Sequence, residues 1–221
     1  MPLLFFAALV STFTSVRVSP VKSRWNLWLP VAMMIVFAIT CWPAILPEKL
    51  KNFSAAYAIA FCAGVYFPKN LRWILPLGTL LLLDFCLNVF YYHTSPISPF
   101  TLFKIAAYTC LIWLGTKVRP QRSWFMLVGG GLLGAIIFYV ITNIASWIFD
   151  PGYPKTLGGL IQALTVGIPG YPPTWLFLKN TLISGGLFTG LFAGAMKLSE
   201  AAEEAEEKED EKGEEPVPEE A

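Results

Sequence analysis

Acidic side chains are almost missing from the first 199 residues of this 221-residue chain. Only Glu48, Asp84 and Asp150 occur there, and the other 12 of 15 acids lie between Glu200 and Glu220. Histidine is scarcer still, with His93 alone. The four cysteines, Cys41, Cys62, Cys86 and Cys110, all sit inside apolar runs and none forms a CxxC pair. That pattern reads as small apolar packing residues and excludes a metal centre built on His/Cys spacing. No GxxxxGK[ST] phosphate loop, GxSxG elbow or His/Asp/Glu cluster is present. The expectation is a protein that is not an enzyme, with no cofactor, no metal and no nucleic-acid partner.

Apolar residues fill the space that these absences leave. They make up 55% of the chain, aromatics 15%, and the mean hydropathy is +0.57. This is the composition of an all-α polytopic membrane bundle. The pattern divides into an N-terminal apolar segment with a basic turn (1–24), a membrane helical bundle (25–198) and an acidic tail (199–221). Charge and composition predict that the tail is mostly disordered, with a helical start.

Six spanning helices are expected, over 25–46, 53–67, 73–92, 101–116, 123–149 and 174–197. Residues 2–16 are apolar but short for a crossing, and form either a short N-terminal helix or an interfacial segment. Five prolines and five glycines in 150–173 bracket the nine-residue run LIQALTVGI. Nine residues cannot cross a bilayer, so this is expected as a re-entrant or interfacial segment. Two stripes of small residues at spacing four, Ala56–Ala60–Gly64 and Gly186–Gly190–Gly194, allow close approach of a second backbone. That backbone belongs either to this chain or to a partner.

Asp84 lies near the middle of an apolar helix, where a charge costs about 2.5–3.5 kcal/mol even on insertion scales. Lys179 is the expected partner, reaching down along its stem to pair directly or through water or a ligand, and a bare proton-relay carboxylate is the alternative. Asn88 and Tyr91 share the face of Asp84. Lysine and arginine cluster in alternate connections (Arg17, Lys22, Arg24; Lys69, Arg72; Lys117, Arg119, Arg122), which the positive-inside rule places in the cytoplasm with the tail. The opposite halves of the helices and their loops then carry Asn52, Asp84, Asn88, Tyr91, Asn143, Trp147, Tyr153, Lys155, Lys179 and Asn180. These ten are the candidate ligand-binding residues of an outward-facing polar cavity.

The segments NFSAAYAIAFCAGVYFPKN, a helix with one Asp, TN…W, YPKTLGGL and KNTL together resemble a family of uncharacterised bacterial integral membrane proteins. The resemblance covers roughly residues 40–197. It rests on Asn52, Phe53, Ser54, Asp84, Thr142, Asn143, Trp147, Tyr153, Pro154, Thr156, Gly158, Asn180 and Thr181. Members often carry an acid shortly after NTL, where this chain has Ser184, Gly185 and Gly186. In helix number, size and polarity that family is similar to the substrate-binding S components of energy-coupling factor transporters. The similarity implies capture of a small solute at the inner membrane of a bacterium. It also implies docking on a transmembrane coupling subunit with ATPases, partly through a stripe such as Ala56–Ala60–Gly64. The alternatives are a membrane scaffold or assembly protein using the acidic tail, and, third, a membrane enzyme.

Overall fold

The computed structural model describes residues 25–42 and 47–213. Within them the chain forms seven α-helices and no strand. They are α1 (Trp25–Cys41), α2 (Ala56–Tyr66), α3 (Leu71–Cys86), α4 (Pro99–Thr116), α5 (Trp124–Phe149), α6 (Leu157–Leu164) and α7 (Thr174–Gly213). A 3-10 turn (Glu48–Leu50) precedes α2, and a π-turn (Leu87–Tyr91) prolongs α3. The expected 2–16 segment lies outside the described residues.

The bundle is built around α2. Its sequence AYAIAFCAGVY has no wide polar face, and every residue from Ala56 to Val65 is buried. A helix apolar all round belongs inside a core. Helices α4, α5 and α7 pack on it most closely, while α1 and α3 close the other side. Thr40 at the end of α1 accepts the Ala55 amide at 3.0 Å, which joins α1 to the start of α2.

Small residues set the distances between these helices. Gly64 of α2 lies against Gly115 of α4. The glycines of α5 make room for larger side chains: Gly130 for the Phe61 ring, Gly131 for Thr189 and Gly134 for Leu111. The Ala56–Ala60–Gly64 stripe is thus spent inside the molecule and has no free face for a docking subunit. Gly186 and Gly190 face Leu132 and Trp124 of α5, while a side chain at Gly194 would meet open space.

Among the described residues four helical segments, not the expected six, are long and apolar enough to cross a membrane: Leu71–Tyr91, Pro99–Thr116, Trp124–Phe149 and Thr174–Ala205. The physical reason is length. At 1.5 Å per residue the 11-residue α2 reaches only about 16 Å, and α1 about 26 Å, against a hydrocarbon core of about 30 Å. The first residues of the predicted 53–67 helix are instead drawn into the turn before α2, where Asn52 adopts a left-handed φ of 65°. A helix enclosed by five others needs no lipid-matched length.

Two further boundaries differ from expectation. Helix α7 runs on through the acidic stretch to Gly213, well beyond the expected end at 197. The helical start expected of the tail therefore extends to that residue. The 150–173 stretch contains the eight-residue α6, whose N-cap Thr156 accepts the Gly159 amide at 3.2 Å.

Large apolar side chains cover the outside of the bundle. Ile74, Leu102, Trp113, Leu133, Ile183 and Leu191 are all about half exposed or more. Such a surface is unfavourable in water and suits lipid.

Candidate functional site

The antiparallel run of helices brings four segment ends together: the turn before α2, the start of α4, the end of α5 and the start of α7. A cavity of about 270 Å³ lies among them. Its polar lining is Asn52, Lys104, Thr142, Asn143, Ser146, Tyr153 and Thr174, and its apolar lining is Phe100, Phe138 and Phe177.

Among the described residues Lys104 is the only charged side chain of this lining, and its charge is balanced from behind. The buried Asp84 carboxylate forms an ion pair with the Lys104 ammonium through Oδ1 and accepts the Thr101 hydroxyl through Oδ2 at 2.6 Å. The expected partner of Asp84, Lys179, is exposed on α7 and is not part of this pair. The register of the α3–α4 hairpin explains the correction. Asp84 lies seven residues before Tyr91, at the end of the α3 segment, and Lys104 lies five after Pro99 at the start of α4. The two side chains therefore stand at similar depth on neighbouring helices. Lysine on the α4 face was visible in the sequence, and hairpin counting was the signal that points to it.

Three of the ten candidate residues line the cavity: Asn52, Asn143 and Tyr153. Asn143 donates its amide to the Tyr139 carbonyl at 2.8 Å. Tyr153, in the loop after α5, is 7% exposed. Its burial raises the phenol pKa, and a hydrogen bond with Thr174 works in the opposite direction.

The other seven do not line the cavity, and six of them make contacts elsewhere in the bundle. Asp84 sits behind Lys104. Asn180, 4% exposed, donates to the carbonyls of Lys49 and Lys51, both at 2.9 Å. It therefore holds the turn that carries Asn52. Trp147 donates its indole N–H to the Pro154 carbonyl at 2.9 Å. Lys155 donates to the carbonyls of Trp147 and Asp150, where a cation complements the C-terminus of α5. Asn88 bonds the Pro96 carbonyl at 3.2 Å, and Tyr91 packs edge-on against Trp42 and Tyr92. Lys179 is exposed.

The ten candidates did not include Lys104, Thr142, Ser146, Thr174 or the three phenylalanines, although Thr142 is among the residues that carry the family resemblance. Thr142, Asn143 and Ser146 fall at offsets of one and four along α5, a polar strip that helical spacing reveals. The phenylalanines carry no such signal, because lipid-facing and cavity-facing rings look alike in sequence. Among the described residues no three His, Cys, Asp or Glu side chains form a group able to hold a metal ion.

A helical bundle with a lipid-suited belt and a polar cavity at one end has the build of a multi-pass membrane protein. The chain belongs to DUF6580, a family of unknown function, whose model matches residues 21–207. That match extends on both sides of the 40–197 span of the sequence resemblance and takes in the start of the acidic helix. Neither the curated proteins nor the solved structures contain a match to the chain.

Proposed function

We propose that this protein is a membrane-embedded binding component that captures a small solute from outside the cell. The observation that carries this reading is the cavity itself. A lysine, four hydroxyl-bearing residues and two amides converge there with phenylalanines, in a region where buried polar groups are costly unless they have a use or a partner. The protein acts by binding, not by catalysis.

The basic connections Lys69–Arg72 and Lys117–Arg122 support an orientation with those turns in the cytoplasm. The cavity then opens outward at the inner membrane, and the acidic end of α7 lies in the cytoplasm. Helices α1 and α2 would complete a six-helix membrane body around the four longer segments. The chain has no phosphate loop, so uptake after capture draws on a separate transmembrane coupling subunit with ATPases, as in energy-coupling factor transporters. Such a partner would seat on the lipid-facing surface, since Ala56, Ala60 and Gly64 are enclosed.

Native mass spectrometry of protein released gently from detergent tests the capture reading. A co-purifying small molecule, lost in Asn143→Ala and in the cavity-filling Ser146→Phe, supports it. An empty cavity overturns it if a whole-cell metabolite extract also fails to raise the melting temperature.

A scaffold role is favoured by one observation, the continuous helix that carries α7 to Gly213 through the acidic residues. Its test is a co-purifying protein that disappears when the chain is cut after Leu198.

A further inference from the structure

Two sets of polar groups in the cavity have opposite character. Along α5, Thr142 gives its hydroxyl proton to the Phe138 carbonyl at 2.9 Å, and Ser146 gives its own to the Thr142 carbonyl at 3.2 Å. A hydroxyl has one proton, so both oxygens are left as acceptors. Asn143 spends one amide N–H on the Tyr139 carbonyl and keeps its side-chain oxygen. This wall therefore offers three acceptor oxygens, beside the second N–H of the Asn143 amide. Lys104 has three N–H groups, of which Asp84 engages one. The remaining two are charged donors.

The net charge of the site is zero. Asp84 cancels Lys104, and among the described residues no other charged side chain lines the cavity. A solute with net charge would lose its hydration there without compensation. A solute with separated opposite charges would meet a donor at one end and acceptors at the other. A volume of about 270 Å³ equals roughly nine waters at about 30 Å³ each, which is the size of a molecule of about ten non-hydrogen atoms.

We infer that the cavity takes a small zwitterion of zero net charge, of the size and kind of a free amino acid. Lys104 holds its carboxylate, the oxygens of Thr142, Asn143 and Ser146 hold its ammonium group, and Phe138 and Phe177 pack on its apolar body. The inference rests on the capture reading of the same cavity and names the class of solute.

Matched probes separate charge from shape. Full-length protein in detergent is melted with each proteinogenic amino acid, and then with the methyl ester (a cation) and the N-acetyl form (an anion) of the same compound. The expected result is that at least one parent raises the melting temperature by several degrees while its two derivatives do not. The shift disappears in the double variants Thr142→Val/Ser146→Ala and Asp84→Asn/Lys104→Gln. The second of these leaves no unpaired buried charge, so loss of the shift is not loss of the fold. A derivative that stabilises as much as its parent overturns the inference, and so does a full set of parents without any shift. Native mass spectrometry distinguishes the two failures. A co-purified solute with net charge, lost in Ser146→Phe, rejects the zwitterion and keeps solute capture. No co-purified solute and no shift reject both.

Discussion

Gly64 of α2 and Gly115 of α4 face each other so closely that a Cβ built on either would lie 2.9 Å from the other's Cα. Each added Cβ would also collide with a backbone carbonyl, that of Ile112 or of Phe61. Backbone cannot move aside as a flexible side chain can. Gly64→Ala or Gly115→Ala should therefore force α2 and α4 apart, and overpacking of this kind costs about 1–3 kcal/mol. Gly78→Ala on α3 is the control, because nothing lies within 4 Å of its Cβ position. Thermal unfolding in detergent should show a clear loss for the first two and none for the third. Equal melting of all three would contradict the close α2–α4 contact.

The Asp84–Lys104 pair predicts an asymmetric pair of single variants. The Asp84 side chain is 6% exposed and that of Lys104 32%. Lys104→Met leaves a carboxylate buried with only Thr101 for company, and breaking a buried pair in this way costs about 3–5 kcal/mol. Asp84→Asn leaves an ammonium group that still reaches the cavity, so its cost should be smaller. The double variant should recover most of the Lys104→Met loss, giving a coupling energy above about 1 kcal/mol. The same cycle with Lys179→Met in place of Lys104→Met should be additive. Additivity in both cycles would remove the ion pair from the account.

Tyr153 gives the site an alkaline limit. Its phenol pKa is raised above 10.0 in the folded protein by burial. A folded-state pKa above the unfolded one means that the native state holds the proton more tightly. The resulting stability is complete below about pH 10, and is lost as pH rises from there through the folded value. Tyr153→Phe cannot ionise, so its melting temperature should fall less between pH 9 and pH 11 than that of the unaltered protein (roughly the window around a free phenol). Parallel curves would show that Tyr153 does not titrate in this range.

The long helices were legible in the sequence because each had a hydrophobic run with marked ends. Ser98–Pro99 opens α4, Ser123 caps α5 through the Met126 amide at 3.4 Å, and the expected spans match within about two residues at most of these ends. The buried helix α2 was harder to judge. A run of alanines, glycine and apolar residues looks the same whether lipid or protein surrounds it, and only tertiary packing showed that it is enclosed. The extent of the acidic helix was hard to judge for another reason: EAAEEAEEKEDEK has strong local helix formers, and continuation of α7 supplies the nucleus that an isolated segment would lack. For the site, the polar residues were visible but their partners were not. Asp84 announced a need for a cation, and the sequence offered both Lys104 and Lys179 in other apolar segments. Pairing followed from hairpin register, a property of the assembled bundle.

Asn180 shows how a residue that looks like a ligand contact can instead hold the site together. Its amide nitrogen donates to two carbonyls, Lys49 and Lys51, on either side of Leu50 in the turn before α2. Both bonds cross from α7 to a segment about 130 residues away in sequence, and Asn52 follows directly. Asn180→Ala removes both donors and leaves two inward carbonyls without them, a loss of about 1–3 kcal/mol if the turn stays in place. Asn180→Asp should be worse, because a carboxylate would face two carbonyl oxygens with no proton to offer. Hydrogen exchange should report the local effect as faster exchange across residues 50–55, with little change in α4 and α5. A ligand contact predicts the reverse: wild-type exchange in that turn, and a defect that appears only when solute is added. The double hydrogen bond therefore makes Asn180→Asp the more severe of the two variants in solute-free protein.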